Sequence, residues 1–179
     1  MPLATKVILI GLVSIGAVYD LRWRRIPNWL TLAGLILALA LNTFLFEWQG
    51  LKISLLGLGL AFGIYFPLYL LRAMGAGDVK LMMAVGALVG WAAWLVIFIL
   101  TGIAGGLIAI VVLLWRGRLK KTLWNVSFLV QRLLKLETPY TANEELDVRS
   151  GKGLRLPHAA SIAVGSGVFL LIGYFTASA

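Results

Sequence analysis

Residues 81–115 form one uncharged, strongly apolar run, and this run constrains the fold more than any other feature of the sequence. As a single helix it would be about 50 Å long, at a rise of about 1.5 Å per residue. The hydrocarbon core of a bilayer is only about 30 Å thick. We therefore expect the chain to cross a membrane, to turn back near Gly90 and to cross it again.

The composition of the whole chain also indicates an integral membrane protein. Its 179 residues are 61% hydrophobic and only 13% charged, which is too apolar for an ordinary soluble domain. We predict an all-α polytopic protein with six transmembrane helices, at about residues 3–20, 29–46, 53–71, 79–90, 92–115 and 157–175. The first apolar stretch is interpreted as a retained span and not as a signal peptide, because it runs directly into Asp20 and a basic cluster.

The basic residues predict the orientation of these spans. With a turn near Gly90, one side of the membrane receives Arg22, Arg24, Arg25, Arg72, Lys80 and a basic loop at about residues 116–155, and the other receives only Lys6 and Lys52. The positive-inside rule makes the crowded side cytoplasmic and leaves both termini outside. Topology thus explains the net charge of +9 better than nucleic-acid binding does, and the predicted partner is the lipid bilayer. The sequence leaves homo-oligomerisation open.

The loop at about residues 116–155 is the longest polar stretch, and it is too short to be a soluble domain of real size. We therefore assign residues 1–179 to a single domain. Within the loop, the apolar spacing of residues 122–136 predicts an amphipathic helix on the cytoplasmic surface. A helix packed between the spans is the alternative.

Two carboxylates lie close to the bilayer on the predicted cytoplasmic side. Asp20 ends the first span and Asp78 begins the fourth. Two nearby carboxylates in a low-dielectric site share a proton, so that one can act as a general base and the other as a general acid. Alternatively, each acid is a helix-end residue paired with Arg22, Arg24 or Lys80.

Asp78 stands in a glycine-containing turn. Gly75 and Gly77 have no side chain, so we expect them to allow a positive φ and the close approach of another backbone. A phosphate-binding loop is not indicated, because the spacing of a P-loop is missing and an acid at the helix start would repel phosphate.

The residues that usually hold metals are scarce. The chain has no cysteine and a single histidine, His158. We therefore predict no metal site, no cofactor and no cysteine nucleophile. His158 is interpreted as a helix-start residue and not as a catalytic one.

Three segments resemble the signature regions of the type IV prepilin peptidases, which are intramembrane aspartic proteases of the Gly-x-Gly-Asp type. They are "YDLRWRRIPNWLT" at residues 19–31, "GAGDVKL" at residues 75–81 and, as a looser match, "LPHAASIAVG" at residues 156–165. The resemblance implies six spans and a cytoplasmic cleft in which Asp20 and Asp78 are catalytic. It implies substrate-binding or site-shaping roles for other motif residues, which are Arg22, Pro27, Asn28, Gly75, Gly77 and Lys80.

The resemblance also implies a substrate and a location. The substrate would be a pilin or pseudopilin precursor with a hydrophobic helix in the bilayer. Its short basic leader would be cleaved off just after a glycine, at the cytoplasmic edge of the bacterial inner membrane. Larger members of this family carry a four-cysteine zinc domain and methylate the new N-terminus. Because this chain lacks cysteine, it resembles the compact, peptidase-only form of Flp/Tad-type pilus systems, and we expect no methyltransferase activity.

The ends of the helices suggest which of the two acids is the general base. The C-terminal end of a helix disfavours an anion at Asp20, whereas the N-terminal end of a helix favours one at Asp78. Asp78 is therefore predicted to be the base. Two other classes of function remain as alternatives: a small proton-coupled transporter that carries protons on the two acids, and a non-enzymatic scaffold of a secretion complex.

Overall fold

The computed structural model describes residues 1–71, 74–115, 117 and 158–178, and the regular structure in this part of the chain is α-helical. The helices are α1 (Leu3–Trp23), α2 (Asn28–Leu70), α3 (Ala76–Trp115) and α4 (His158–Ser178). Each of these four helices contains a segment long and apolar enough to cross a membrane. The prediction of an all-α membrane protein is confirmed.

Helix α3 is interrupted at one residue, where the chain reverses its direction. Gly90 has φ 79° and ψ 169°, which is not helical. Beyond it, the indole Nε1 of Trp94 donates a hydrogen bond of 3.1 Å to the carbonyl oxygen of Met82. These residues are 12 apart and would be separated by about 18 Å along a straight helix. The predicted turn near Gly90 is therefore confirmed.

Helix α2 contains a second reversal, at Glu47, which has φ 51° and ψ −136°. The side chain of Asn42 reaches across it, donating through Nδ2 to the hydroxyl of Ser54 at 2.7 Å. Residues 47–52 are predicted from the sequence to form a connection between two spans. In the structure only Glu47 leaves the helical conformation, and the residues that follow it are helical.

Helix α3 lies at the centre of the molecule, where it packs against both α2 and α4. Its first half contributes side chains that are fully buried, among them Leu81, Met82 and Val85. At the contact with α2, Gly57 and Gly86 bring the two backbones together so closely that a Cβ on either would overlap the carbonyl oxygen of the other. Such close contacts through small residues are common between membrane helices.

The helix ends near the two carboxylates differ from the predicted ones. Helix α1 continues to Trp23 and ends where Arg24 adopts a left-handed conformation with φ 52°, so Asp20 lies in its last turn. Helix α3 begins at Ala76 and not at about residue 79, so Asp78 lies in its first turn. The predicted amphipathic helix at residues 122–136, and almost all of the loop at residues 116–155, fall outside the described residues.

Candidate active site

Asp20 joins helix α1 to the beginning of helix α4. Its Oδ2 accepts a hydrogen bond of 3.0 Å from the backbone N–H of Ala159, which lies in the first turn of α4. The N–H groups of a first turn have no partner within their own helix, and they stabilise a nearby anion. The N-terminus of α4 thus opposes the unfavourable effect of the C-terminus of α1. The predicted contrast between the helix ends at Asp20 and Asp78 did not include this contribution of α4, which weakens it.

Asp78 accepts a hydrogen bond from the residue that precedes its own helix. The backbone N–H of Gly75 donates to its Oδ2 at 3.3 Å. A side chain near the helix start that reaches back to the N–H before the helix is half of a capping box. This bond holds the Asp78 side chain against the Gly75–Gly77 turn.

The two motif glycines act through the space they leave and not through positive φ. Among the described glycines, positive φ is found at Gly90 and Gly117, so the expectation of positive φ at Gly75 and Gly77 was wrong. A Cβ on Gly77 would lie 3.1 Å from the Cβ of Ile26, in the connection between α1 and α2. The close approach at Gly77 therefore comes from the side chain of Ile26 and not, as expected, from another backbone.

The structure brings Asp20 and Asp78 together. Their charges are close enough to interact, although the residues belong to different helices and are far apart in the sequence. Both side chains are half-buried. In the described part of the chain, each carboxylate accepts one backbone N–H, from Ala159 and from Gly75. A half-buried pair of interacting carboxyl groups can hold one proton between them and transfer it to or from a bound molecule.

Two aromatic residues line the same region. Tyr65 of α2 is 2% exposed and interacts electrostatically with Asp78. The ring of His158 lies 6.2 Å from the Tyr65 ring, measured between centroids, and the imidazole interacts with Asp20. His158 begins helix α4, as predicted. The sequence analysis missed Tyr65, because an isolated tyrosine inside an apolar span carries no signal that distinguishes it from a core residue.

Two cationic residues predicted to shape the site, Lys80 and Arg22, contact residues other than the two carboxylates. Lys80 is exposed, and its Nζ donates to Oδ1 of Asn28 at 2.9 Å. The guanidinium of Arg22 lies over the ring of Trp23, 5.2 Å from its centroid. Asn28 begins helix α2, preceded by Pro27 in an extended conformation. Lys80 and Asn28 therefore tie the start of α2 to the start of α3.

One cation does act on the carboxylate pair. The charge of Arg24 interacts with that of Asp20. Helix-end ion pairing was the alternative interpretation of these acids. The interaction of Arg24 with Asp20 agrees with it, whereas the contacts of Lys80 and Arg22 do not.

Aromatic side chains cluster beside Asp20. The ring of Tyr19 is 4.8 Å from that of Trp23 and 6.3 Å from that of Trp29, and both tryptophans are exposed. Clusters of tyrosine and tryptophan are typical of the boundary between lipid and water. Asp20 directly follows Tyr19 in the chain and so lies beside this cluster.

The described residues include no group of three or more histidine, cysteine, aspartate or glutamate side chains that could hold a metal ion.

A comparison with protein-family models gave one finding. Residues 7–110 match the model of the type IV leader peptidase family. The matched segment contains Asp20, Asp78 and the glycine turn, and it ends before helix α4. Neither the comparison with curated proteins nor the comparison with solved structures gave a match.

Proposed function

The chain belongs to the type IV leader peptidase family, and on that premise we propose that Asp20 and Asp78 together cleave the leader of an Flp-type pilin precursor. Members of this family are aspartic-type prepilin leader peptidases, so the chain is an enzyme of this class. Membership implies that its substrates are prepilins. We propose in addition the identity of the catalytic residues, the Flp-type substrate and the orientation in the membrane.

The observation that carries the proposal is the convergence of the two acids. Asp20 and Asp78 come from separate helices, yet their charges interact, and each carboxylate is fixed by a backbone N–H group. A general base and a general acid must both reach the same scissile bond. Two oriented carboxyl groups at one place meet this requirement.

The mechanism follows from one proton shared between two carboxyl groups. The ionised carboxylate takes a proton from a water molecule, whose oxygen attacks the carbonyl carbon of the scissile peptide bond. The protonated carboxyl group donates its proton to the carbonyl oxygen, which gives a neutral tetrahedral intermediate. When this intermediate collapses, the bond from carbon to nitrogen breaks and the leaving amine takes the proton that the first carboxylate received from water. A hydroxyl group of the intermediate returns a proton to the second carboxylate, so the pair again holds one proton. The assignment of Asp78 as the base stays a prediction, and the roles can exchange during turnover.

The level of the site supports leader cleavage over proton transport. A transporter that carries protons across the bilayer is expected to hold its acids nearer to the middle of the membrane. Asp20 instead follows Tyr19, whose ring belongs to an aromatic cluster of the kind found at the membrane boundary. A pair at this level can reach a peptide bond just outside an apolar helix, where the backbone need not first unwind.

The same proposal includes six membrane crossings with a cytoplasmic site. Its support is the pair of chain reversals at Glu47 and Gly90. Three of the resulting segments of α2 and α3 are about as long as a bilayer is thick, and the segment at residues 76–89 is shorter, at about 21 Å. The distribution of basic residues favours a cytoplasmic position for Asp20 and Asp78. The acidic residues of the 116–155 loop could then attract the basic leader; they lie outside the described residues.

Co-expression with candidate pilin precursors tests this function. The mass of the recovered product should correspond to cleavage just after the glycine that ends the basic leader, without the added mass of a methyl group. Asp78→Asn should leave the precursor intact. Glu47→Gln, which changes a carboxylate at the chain reversal of α2, should not affect cleavage. Precursor that remains intact with every candidate, or a methylated product from the purified protein, would contradict the proposal.

A further inference from the structure

His158 holds a polar atom that is buried without a partner. Its Nε2 is shielded from solvent and has no hydrogen bond to the described residues. Buried polar groups in folded proteins are nearly always hydrogen-bonded, and an exception calls for an explanation. A partner supplied by a bound molecule is one such explanation.

The position of the imidazole indicates that such a molecule would be one bound at the two carboxylates. The ring of His158 packs near Tyr65, which interacts with Asp78, and it interacts itself with Asp20. The next residue, Ala159, donates its N–H to the Asp20 carboxylate. His158 thus lies next to residues that contact both carboxylates.

We propose that Nε2 of His158 forms a hydrogen bond with the main chain of the bound precursor, beside the peptide bond that is cleaved. This inference rests on the proposed function. An extended peptide in a cleft presents an N–H and a C=O group at every residue, and each needs a partner once water is excluded. A neutral imidazole offers a donor at one nitrogen and an acceptor at the other, according to its tautomer, so it can satisfy either group. His158 is therefore a substrate-binding residue.

Three substitutions separate the hydrogen bond from the packing of the ring. His158→Gln keeps a hydrogen-bonding group near the position of Nε2. His158→Asn has the same amide on a shorter side chain, which reaches only the position of Nδ1. His158→Phe keeps a ring against Tyr65 but has no polar atom.

Steady-state kinetics of the purified full-length protein provide the first readout. The probe is a synthetic peptide with a basic leader that ends in glycine, followed by about 20 apolar residues. We expect His158→Phe and His158→Asn to raise KM by about tenfold, with a smaller change in kcat, and His158→Gln to stay within about threefold of the wild type. An equal loss in the Gln and Phe variants, or no loss in either, would overturn the proposal.

Binding of the same peptide to a protein that cannot cleave it provides the second readout. In an Asp78→Asn background, the His158→Phe change should weaken binding of the labelled peptide by about tenfold. Binding that is the same with and without His158 would overturn the inference. If the wild type binds the peptide but does not cleave it, the proposed function fails, while a weaker affinity of the His158→Phe protein would still support the contact.

Discussion

At the scale of single residues, the Gly75–Gly77 turn orients Asp78 through two contacts. The N–H of Gly75 holds the carboxylate oxygen, and the absent side chain of Gly77 makes room for Ile26. Ile26 lies in the connection that follows helix α1, which carries Asp20. The contact at Gly77 therefore fixes the distance between the two elements that carry the carboxylates.

Gly77→Ala tests this account of the turn. The new Cβ would lie 3.1 Å from the Cβ of Ile26, so the connection has to move by a few tenths of an ångström, and the carboxylates move apart. Because catalysis depends steeply on the position of its groups, we expect kcat/KM to fall by about tenfold or more. The measurement is the rate of precursor cleavage by purified protein.

Gly59→Ala is the matched control, since a Cβ at Gly59 meets no atom within 4 Å. This variant should cleave at the wild-type rate. Equal rates for Gly77→Ala and Gly59→Ala would contradict the role of Ile26 in spacing the site.

At the scale of helices, a buried amide holds the two chain reversals together. Besides Ser54, Nδ2 of Asn42 donates to the carbonyl oxygens of Ala87 and Leu88, at 3.0 and 3.1 Å. These carbonyls belong to the last turn before Gly90, where the helix can no longer satisfy them. The network lies well away from the end of α2 that contacts Lys80, because Asn42 is about 21 Å along the helix from Asn28.

Asn42→Leu removes the network while keeping the same number of heavy atoms in the side chain. The buried carbonyl oxygens and the Ser54 hydroxyl lose a partner, which should lower the free energy of unfolding by about 1–3 kcal/mol. Thermal unfolding in detergent measures this loss, and the folded variant should still cleave its substrate. Thr176→Val, at an exposed hydroxyl that bonds only within its own helix, should not change the melting temperature. A wild-type melting temperature for Asn42→Leu would contradict this role.

The sequence predicts where a helix turns back better than it predicts the contacts between helices. The length of the 81–115 run required a turn, and Gly90 supplies it, because bilayer thickness limits a helix regardless of its neighbours. No such limit identifies Asn42 or Tyr65. Their partners are backbone carbonyls and a carboxylate on other helices, and only packing determines which of these lie opposite them. Likewise, the contact of Asp20 with helix α4 could not be derived from its position at the end of helix α1.

At the scale of the whole molecule, the packing of the helices brings Asp20 and Asp78 close enough for their charges to interact. Helix α4 packs against α1 and α3, and its first turn contacts Asp20. The sequence analysis identified both acids from their position beside the bilayer and from their motifs. It could not predict the part of helix α4 in the site, because that contact depends on how the spans pack.

Single-cysteine labelling tests the proposed orientation, and the cysteine-free chain suits this method. Cysteines at positions 24, 80 and 120 should react only after the cytoplasmic side is opened, because positive residues are retained on that side. Cysteines at positions 6 and 52 should react in intact cells. Labelling of position 120 from outside would contradict the six-span arrangement.

The most direct test of the central claim compares Asp20→Asn, Asp78→Asn and the double variant in one assay. Asparagine keeps the size and polarity of the side chain but cannot serve as a carboxylate base or acid, so each single variant should insert into the membrane and fail to cleave the precursor. Because the two residues act as one unit, the double variant should be hardly worse than either single variant. Cleavage of a verified precursor at close to the wild-type rate by either single variant would contradict the claim that Asp20 and Asp78 form the catalytic pair.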